Sequence, residues 1–190
     1  MARIPYLDPE EAPDSVKRLL APDRANAIAL LFGHAETNWP RLADLLLSIL
    51  GEQALDGRLR ELAILRVARL RAARFEWDQH VGISAATGVT REELAAIERG
   101  EVDADCFGEV ERLVLQAATG LVEQGTLEEE LVTRLEEQLS AREAVELLIA
   151  IGVYEALAKL MNAVDLDPEP AIDPAFAAQV VAGAIRAEES

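Results

Sequence analysis

The chain has 190 residues, enough for one domain with a substantial core or for two small helical lobes that share one. A hydrophobic fraction of 51% with mean hydropathy of +0.09 argues against both a disordered chain and a membrane protein, and the longest apolar run, Leu147 to Val153, falls far short of the roughly 20 residues a spanning helix needs. The formal charge of −17, from 35 acids against 18 bases, repels phosphate backbones and argues against a nucleic-acid partner.

The first eight residues carry one arginine and no apolar stretch, so no signal peptide is read there and a cytoplasmic protein is expected. Three prolines, Pro5, Pro9 and Pro13, make an extended arm leading to a short helix over 14–20, which Pro22 interrupts. A second short helix is predicted from Arg24 to Phe32. Asn38 can cap the next helix, with Pro40 in its first turn, where a missing N–H costs little. That helix places Leu42, Leu45, Leu46, Ile49 and Leu50 on one face.

Asp56 caps a helix over 58–73, and another covers 75–87, closed by Gly88. Three hydroxyl–carboxylate pairs at capping-box spacing follow: Thr90 with Glu93, Thr126 with Glu129, and Ser140 with Glu143. Gly100 and Gly125 stop the helices between them. A long helix is predicted over 141–164, and Asp173-Pro174 starts a terminal one reaching about Glu188. Aromatics are only 4%, Ala and Leu dominate, and no segment alternates with β-branched enrichment, so the fold class is all-α. Arg60-Glu61 and Arg142-Glu143 each lead an apolar run, a weak hint of two similar lobes.

Few side chains offer chemistry. Glu61 leads a helical stripe of Leu65, Ala68 and Ala72; partial burial there would raise its pKa and suit acid–base work. The plainer reading is a carboxylate that only favours the helix dipole. Glu76 and His80 stand one turn apart on the following helix. A carboxylate beside an imidazole can set its tautomer and basicity, yet many such pairs are weak surface contacts. Trp77 can wall a pocket or pack in the core.

His34, after Gly33, reads as a solvated loop residue. With His80, Glu61 and Glu76 it could imitate a two-histidine carboxylate metal site, but no HxxxH or HExxH spacing supports one, and no metal or other cofactor is expected. Six of the 18 bases are arginines between 58 and 74: Arg58, Arg60, Arg66, Arg69, Arg71 and Arg74. They can hold an anionic substrate or, for most of them, pair with acids of a neighbouring subunit. Cys106 is the lone cysteine, so no intrachain disulfide can form; its acidic loop, with Asp103 and Asp105, dulls the thiol. No Walker loop, GxGxxG or GxSxG occurs.

The strings RELAILRVARL at 60–70 and FEWDQHV at 75–81 resemble the carboxymuconolactone decarboxylase-like family. The opening RIPYLDP, the GVT at 88–90, and the stretch from Gly152-Val153-Tyr154 to Asn162-Ala163 are similar to its longer members. The resemblance implies an alkylhydroperoxidase D-like bundle of about eight to ten helices. It divides the chain into an arm and short helix (1–22), the family domain (23–165) and a tail with a terminal helix (166–190). It also implies a homo-oligomer, a trimer or hexamer with a dimer as the alternative, and a small-molecule site near the subunit interface.

In the redox branch of this fold a glutamate is followed by CxxC and a histidine. On that spacing Glu61 matches the glutamate and His80 the histidine, while Ala73 and Glu76 stand at the thiol positions. Peroxide reduction through an intramolecular disulfide needs two thiols, so it is not expected here, even under a peroxiredoxin-like label. The decarboxylase branch implies instead a cofactor-independent lyase or isomerase acting on a small anionic organic acid or lactone. In it His80 moves the proton, Glu76 or Glu61 orients His80, and an arginine holds the substrate carboxylate. Trp77, Phe75, Tyr154 and His34 complete the expected substrate contacts. The alternatives are a peroxidase using Cys106 with an external thiol and a non-catalytic helical oligomer.

Overall fold

A computed structural model describes residues 1–20 and 26–182. The expected break at Pro22, the helix start at Arg24 and the terminal helix from 183 towards Glu188 lie outside the described residues. Within them the protein forms ten helices and no strand: α1 (Asp14–Lys17), α2 (Ala27–Phe32), α3 (Trp39–Gly51), α4 (Gly57–Leu70), α5 (Arg74–Ala86), α6 (Arg91–Arg99), α7 (Glu109–Gln124), α8 (Glu129–Gln138), α9 (Ala141–Val164) and α10 (Pro174–Val181). The all-α expectation holds.

Helix α4 is the axis of the molecule. Nine consecutive residues, Arg60 to Ala68, are buried, so it is covered all round by α5, α7 and α9, with α6 against one side. Ile64 and Val67 join the main core with Leu113 and Val114 of α7 and Leu147 and Ile151 of α9. Leu62 and Leu65 face a second cluster holding Ile97 of α6 and Phe107. Asp56 caps α4 as expected, accepting from the N–H groups of Arg58 and Leu59. The helix stops earlier than residue 73 because Ala72 turns left-handed (φ 50°), and the N–H of Ala73 bonds back to the Ala68 carbonyl at 2.9 Å. That turn reverses the chain and lays α5 along α4.

Two of the three expected capping boxes form, Thr90–Glu93 and Ser140–Glu143. Thr126 does not cap. Glu128 is the N-cap of α8, without a side-chain bond, and the carbonyl of Thr126 lies against Gly120. Asn38 makes no side-chain cap either; its backbone is already helical, and the Trp39 N–H bonds to the Ala35 carbonyl in a preceding turn. On α3, Trp39, Pro40, Ala43, Ile49 and Leu50 are buried while Leu45 is exposed, so the inward face lies further round the helix than the leucine pattern indicates. The Arg60–Glu61 and Arg142–Glu143 echo is local, since Glu61 is wholly buried and Glu143 serves the α9 cap.

Between α9 and α10 the segment 166–173 crosses over α5 as a strap. Gln79 of α5 donates to the Pro170 carbonyl at 3.1 Å, and a carboxylate oxygen of Glu169 accepts the N–H of Ala27 at the start of α2. Helix α10 then packs on α5 and α3. Among the described residues no helix is long and apolar enough to cross a membrane.

Candidate active site

The α4–α5 hairpin brings two of the singled-out residues into direct contact. The Nδ1 of His80 lies 2.7 Å from a carboxylate oxygen of Glu61, and both side chains are buried. The other Glu61 oxygen accepts from the Nε of Arg60 at 3.1 Å, an ion pair likewise buried. A carboxylate held this way makes Nδ1 the proton-bearing nitrogen and leaves Nε2 as the acceptor. Glu61 is the fifth residue of α4, past the first turn, and Asp56 already serves the helix end. The helix-dipole reading of Glu61 therefore does not account for it.

His80 forms part of the wall of a cavity of about 250 Å³ between α2, α3, α5, α9 and the strap. Phe75, Glu76 and Gln79 of α5 and Tyr154 of α9 face the same space, with Trp39, Leu46 and Leu50 of α3 opposite. Glu61 stands behind His80 and does not line the cavity. The Tyr154 ring meets the imidazole edge-on, with centroids 4.9 Å apart and planes at 89°, which fixes the ring's tilt. Burial, reinforced by Glu61 and Glu76, pushes the Tyr154 phenol well above its ordinary range, while Arg60 acts the other way. Tyr154 is thus a neutral donor.

Glu76 is 2% exposed, and neither of its oxygens has a hydrogen-bond partner among the described residues. Burial first, then the neighbouring charge of Glu61, raises its pKa well above that of an ordinary carboxylate. Its place in the first turn of α5 opposes that shift, because the helix dipole favours a negative charge there. The dipole is worth about 0.3–1 kcal/mol, up to about 2 when partly buried, whereas stranding an unpaired carboxylate away from water costs several kcal/mol. Desolvation wins, and the balance at Glu76 shifts toward the protonated form. It does not orient His80; Glu61 does.

The remaining expected site residues lie elsewhere. Trp77 points away from the cavity, packing against Ala68, Ala73 and Ala158 and lining a separate shallow surface cleft. His34 is exposed, its Nε2 2.9 Å from the Pro5 carbonyl. Among the described residues no group of three or more His, Cys, Asp or Glu side chains is placed to hold a metal ion.

The six arginines are engaged within the chain. Arg58 bonds Glu93 and, at 2.7 Å, Glu111. Arg66 donates to Thr119, Arg69 to the Glu98 carbonyl, Arg71 to Glu155 and the Val122 carbonyl, and Arg74 pairs with Asp78. None of them lines the His80 cavity. Cys106 packs against the second cluster, and its thiol is pushed up by burial first and then by Glu92 and Glu93, not by the Asp103 and Asp105 of its own loop. Gln79, Trp39 and the strap were not singled out from sequence. Their part in the cavity depends on where α3 and α10 pack, which no local pattern encodes.

Residues 37–120 match the family model of the carboxymuconolactone decarboxylase family. The fold agrees. Over that stretch, a little under half of its length, the chain is similar to this family. Among solved structures, an uncharacterized peroxidase-related protein from Ralstonia eutropha with an alkylhydroperoxidase AhpD core superposes with a TM-score of 0.76 at 16% identity, over 92% of this chain and 94% of that one. An uncharacterized peroxidase-related protein from Silicibacter sp. gives 0.71 at 15% identity, over 87% and 89%. An Agrobacterium tumefaciens protein of unknown function, assigned to AhpD-type antioxidant defence, gives 0.64 at 19% identity, over 72% and 94%. At these identities the likeness speaks for the shared alkylhydroperoxidase D-like fold alone. No curated protein matches the sequence.

The two residues at the thiol positions of the redox spacing lie apart in the structure. Ala73, at the first thiol position, is the buried N-cap of α5 and faces Ala68, Ala158 and Trp77. Glu76, at the second, faces the cavity. A buried carboxyl with a raised pKa thus stands at the second of these positions.

Proposed function

We propose that this protein is a cofactor-independent proton-transfer enzyme of decarboxylase or isomerase type, acting on a small carbonyl compound, an organic acid or lactone. The observation that carries the reading is the buried Glu61–His80 contact of 2.7 Å at the wall of a mainly apolar cavity. Glu61 acts as the positioning residue, held by Arg60. His80 Nε2 is the base, and Glu76 and Tyr154 are neutral donors for oxygen on the substrate. The resemblance implied an arginine for the substrate carboxylate, but the described lining residues include neither arginine nor lysine.

Screening β-keto acids and lactones for carbon dioxide release or isomerisation tests the reading. His80→Ala should abolish turnover, and Glu61→Gln should lower kcat by about 10²–10⁴-fold, the range for a misdirected acid–base group. Turnover that survives His80→Ala would leave only a helical binding protein.

The working unit is proposed to be a homo-oligomer. Helix α9 is apolar on two faces: one is buried against α4, and the other leaves Val145, Leu148, Ile149 and Leu160 exposed at 40–54%. A second copy of the chain is the occupant that would bury the open face.

A further inference from the structure

We infer that the cavity takes a neutral, mainly apolar ketone or lactone, with the Glu76 carboxyl donating to its carbonyl oxygen while His80 removes the proton from the neighbouring carbon. This rests on the proton-transfer reading above and narrows its substrate class.

Three observations converge on it. Glu76 is buried at the cavity wall with both oxygens unpartnered among the described residues; a buried acid without a partner is satisfied by a ligand atom placed against it. Next, the described lining residues include two glutamates, Glu76 and Glu169, and no lysine or arginine. A carboxylate ligand entering here would be stripped of water with no counter-charge, a cost of several kcal/mol. A carbonyl oxygen needs only donors, and Glu76 and Tyr154 can supply them. Finally, Trp39, Leu46 and Leu50 of α3 with Leu157 and Met161 of α9 make much of the remaining lining apolar, and about 250 Å³ leaves room for a ring with substituents, since benzene fits a cavity of about 150 Å³.

The step balances without oxidant or reductant. The Nε2 lone pair takes the proton from the carbon beside the carbonyl. The C–H pair becomes the C=C bond of the enol, and the carbonyl pair moves to oxygen, which takes the Glu76 proton. Return of a proton from His80 to carbon, and of the enol proton to Glu76, restores both groups. If the returned proton lands on a different carbon of a conjugated system, the net result is isomerisation.

The test compares two probes that share one ring and differ by a charged substituent: cyclohexanone and the same ring bearing a carboxylate. Binding is measured by calorimetry, and loss of the protons beside the carbonyl in deuterium oxide by proton NMR. The wild-type protein should bind cyclohexanone and exchange its protons, at least about tenfold faster than those of the carboxylated ring, with no exchange in His80→Ala. Glu76→Gln, which keeps shape but has no acidic proton, should still bind cyclohexanone while exchange falls about 10²-fold, the lower end for a general acid. Preference for the carboxylated ring overturns the neutral substrate class and leaves proton transfer standing. Binding of cyclohexanone without exchange overturns the proton-transfer step itself. Failure of the wild-type protein to bind cyclohexanone overturns the inference.

Discussion

Glu76 shows how one residue's surroundings decide its chemistry. The carboxyl is enclosed by α5 and faces Glu61 from α4 and Tyr154 from α9, with His80 one turn further along its own helix and Arg60 beyond Glu61. The folded protein keeps the Glu76 proton to higher pH than the unfolded chain does. The stability from this group is therefore complete below about pH 4.3, the ordinary glutamate value, and is lost as pH rises from there through the raised folded value. Glu76→Gln removes that loss. Its melting temperature should match wild type near the acidic end and exceed it at neutral pH; a gap that does not widen with pH would show that Glu76 is not held protonated. Glu61 behaves oppositely. Glu61→Ala strands Arg60 without its counter-charge and should cost about 3–5 kcal/mol in denaturant unfolding, whereas the Gln variant tests catalysis with a smaller structural penalty.

At the scale of elements, α4 and the strap divide the work. Leu65 is fully buried where α4 meets the second cluster, so Leu65→Ala should destabilise by about 2–5 kcal/mol, measured by denaturant unfolding. The strap depends on a close approach instead. A Cβ on Gly82 of α5 would stand 2.7 Å from the Ile172 carbonyl, too near for the backbone to stay in place. Gly82→Ala should therefore push the strap off the cavity, raising KM more than it lowers kcat; an unchanged KM would mean that the strap takes no part in holding substrate. The cap at Asp56, the stop at Gly88 and the full span of α9 are legible in sequence because each is set by residues within one or two turns. Thr126 and Asn38 failed as caps because the chain geometry before each helix, not the hydroxyl or amide itself, decides whether the cap forms.

For the whole molecule, the open apolar face of α9 makes the strongest demand. Exchanging Leu148 and Ile149 together for glutamate adds charge to a chain already at −17 and should shift the protein to a smaller species in size-exclusion chromatography with light scattering. An unchanged size would remove α9 as the contact face. The arginines between 58 and 74 bind acids, carbonyls and a hydroxyl of their own chain, and Arg58, Arg69 and Arg71 among them tie the α4 region to α7, α6 and α9.

The sequence by itself determined that this is a helical protein and where most helices begin and end. Those features rest on caps and apolar periodicity and are therefore local. Its spacing paired His80 with Glu76, and only the family resemblance set Glu61 beside His80 as an alternative. Only the tertiary structure decided that Glu61 and not Glu76 holds the imidazole, that Glu76 turns into a mainly apolar cavity, and that Trp77, His34 and every arginine of the basic stretch stay outside it. The reason is desolvation: a carboxyl is a base or an acid according to what surrounds it, and those surroundings are assembled from α3, α9 and the strap, segments distant in the chain.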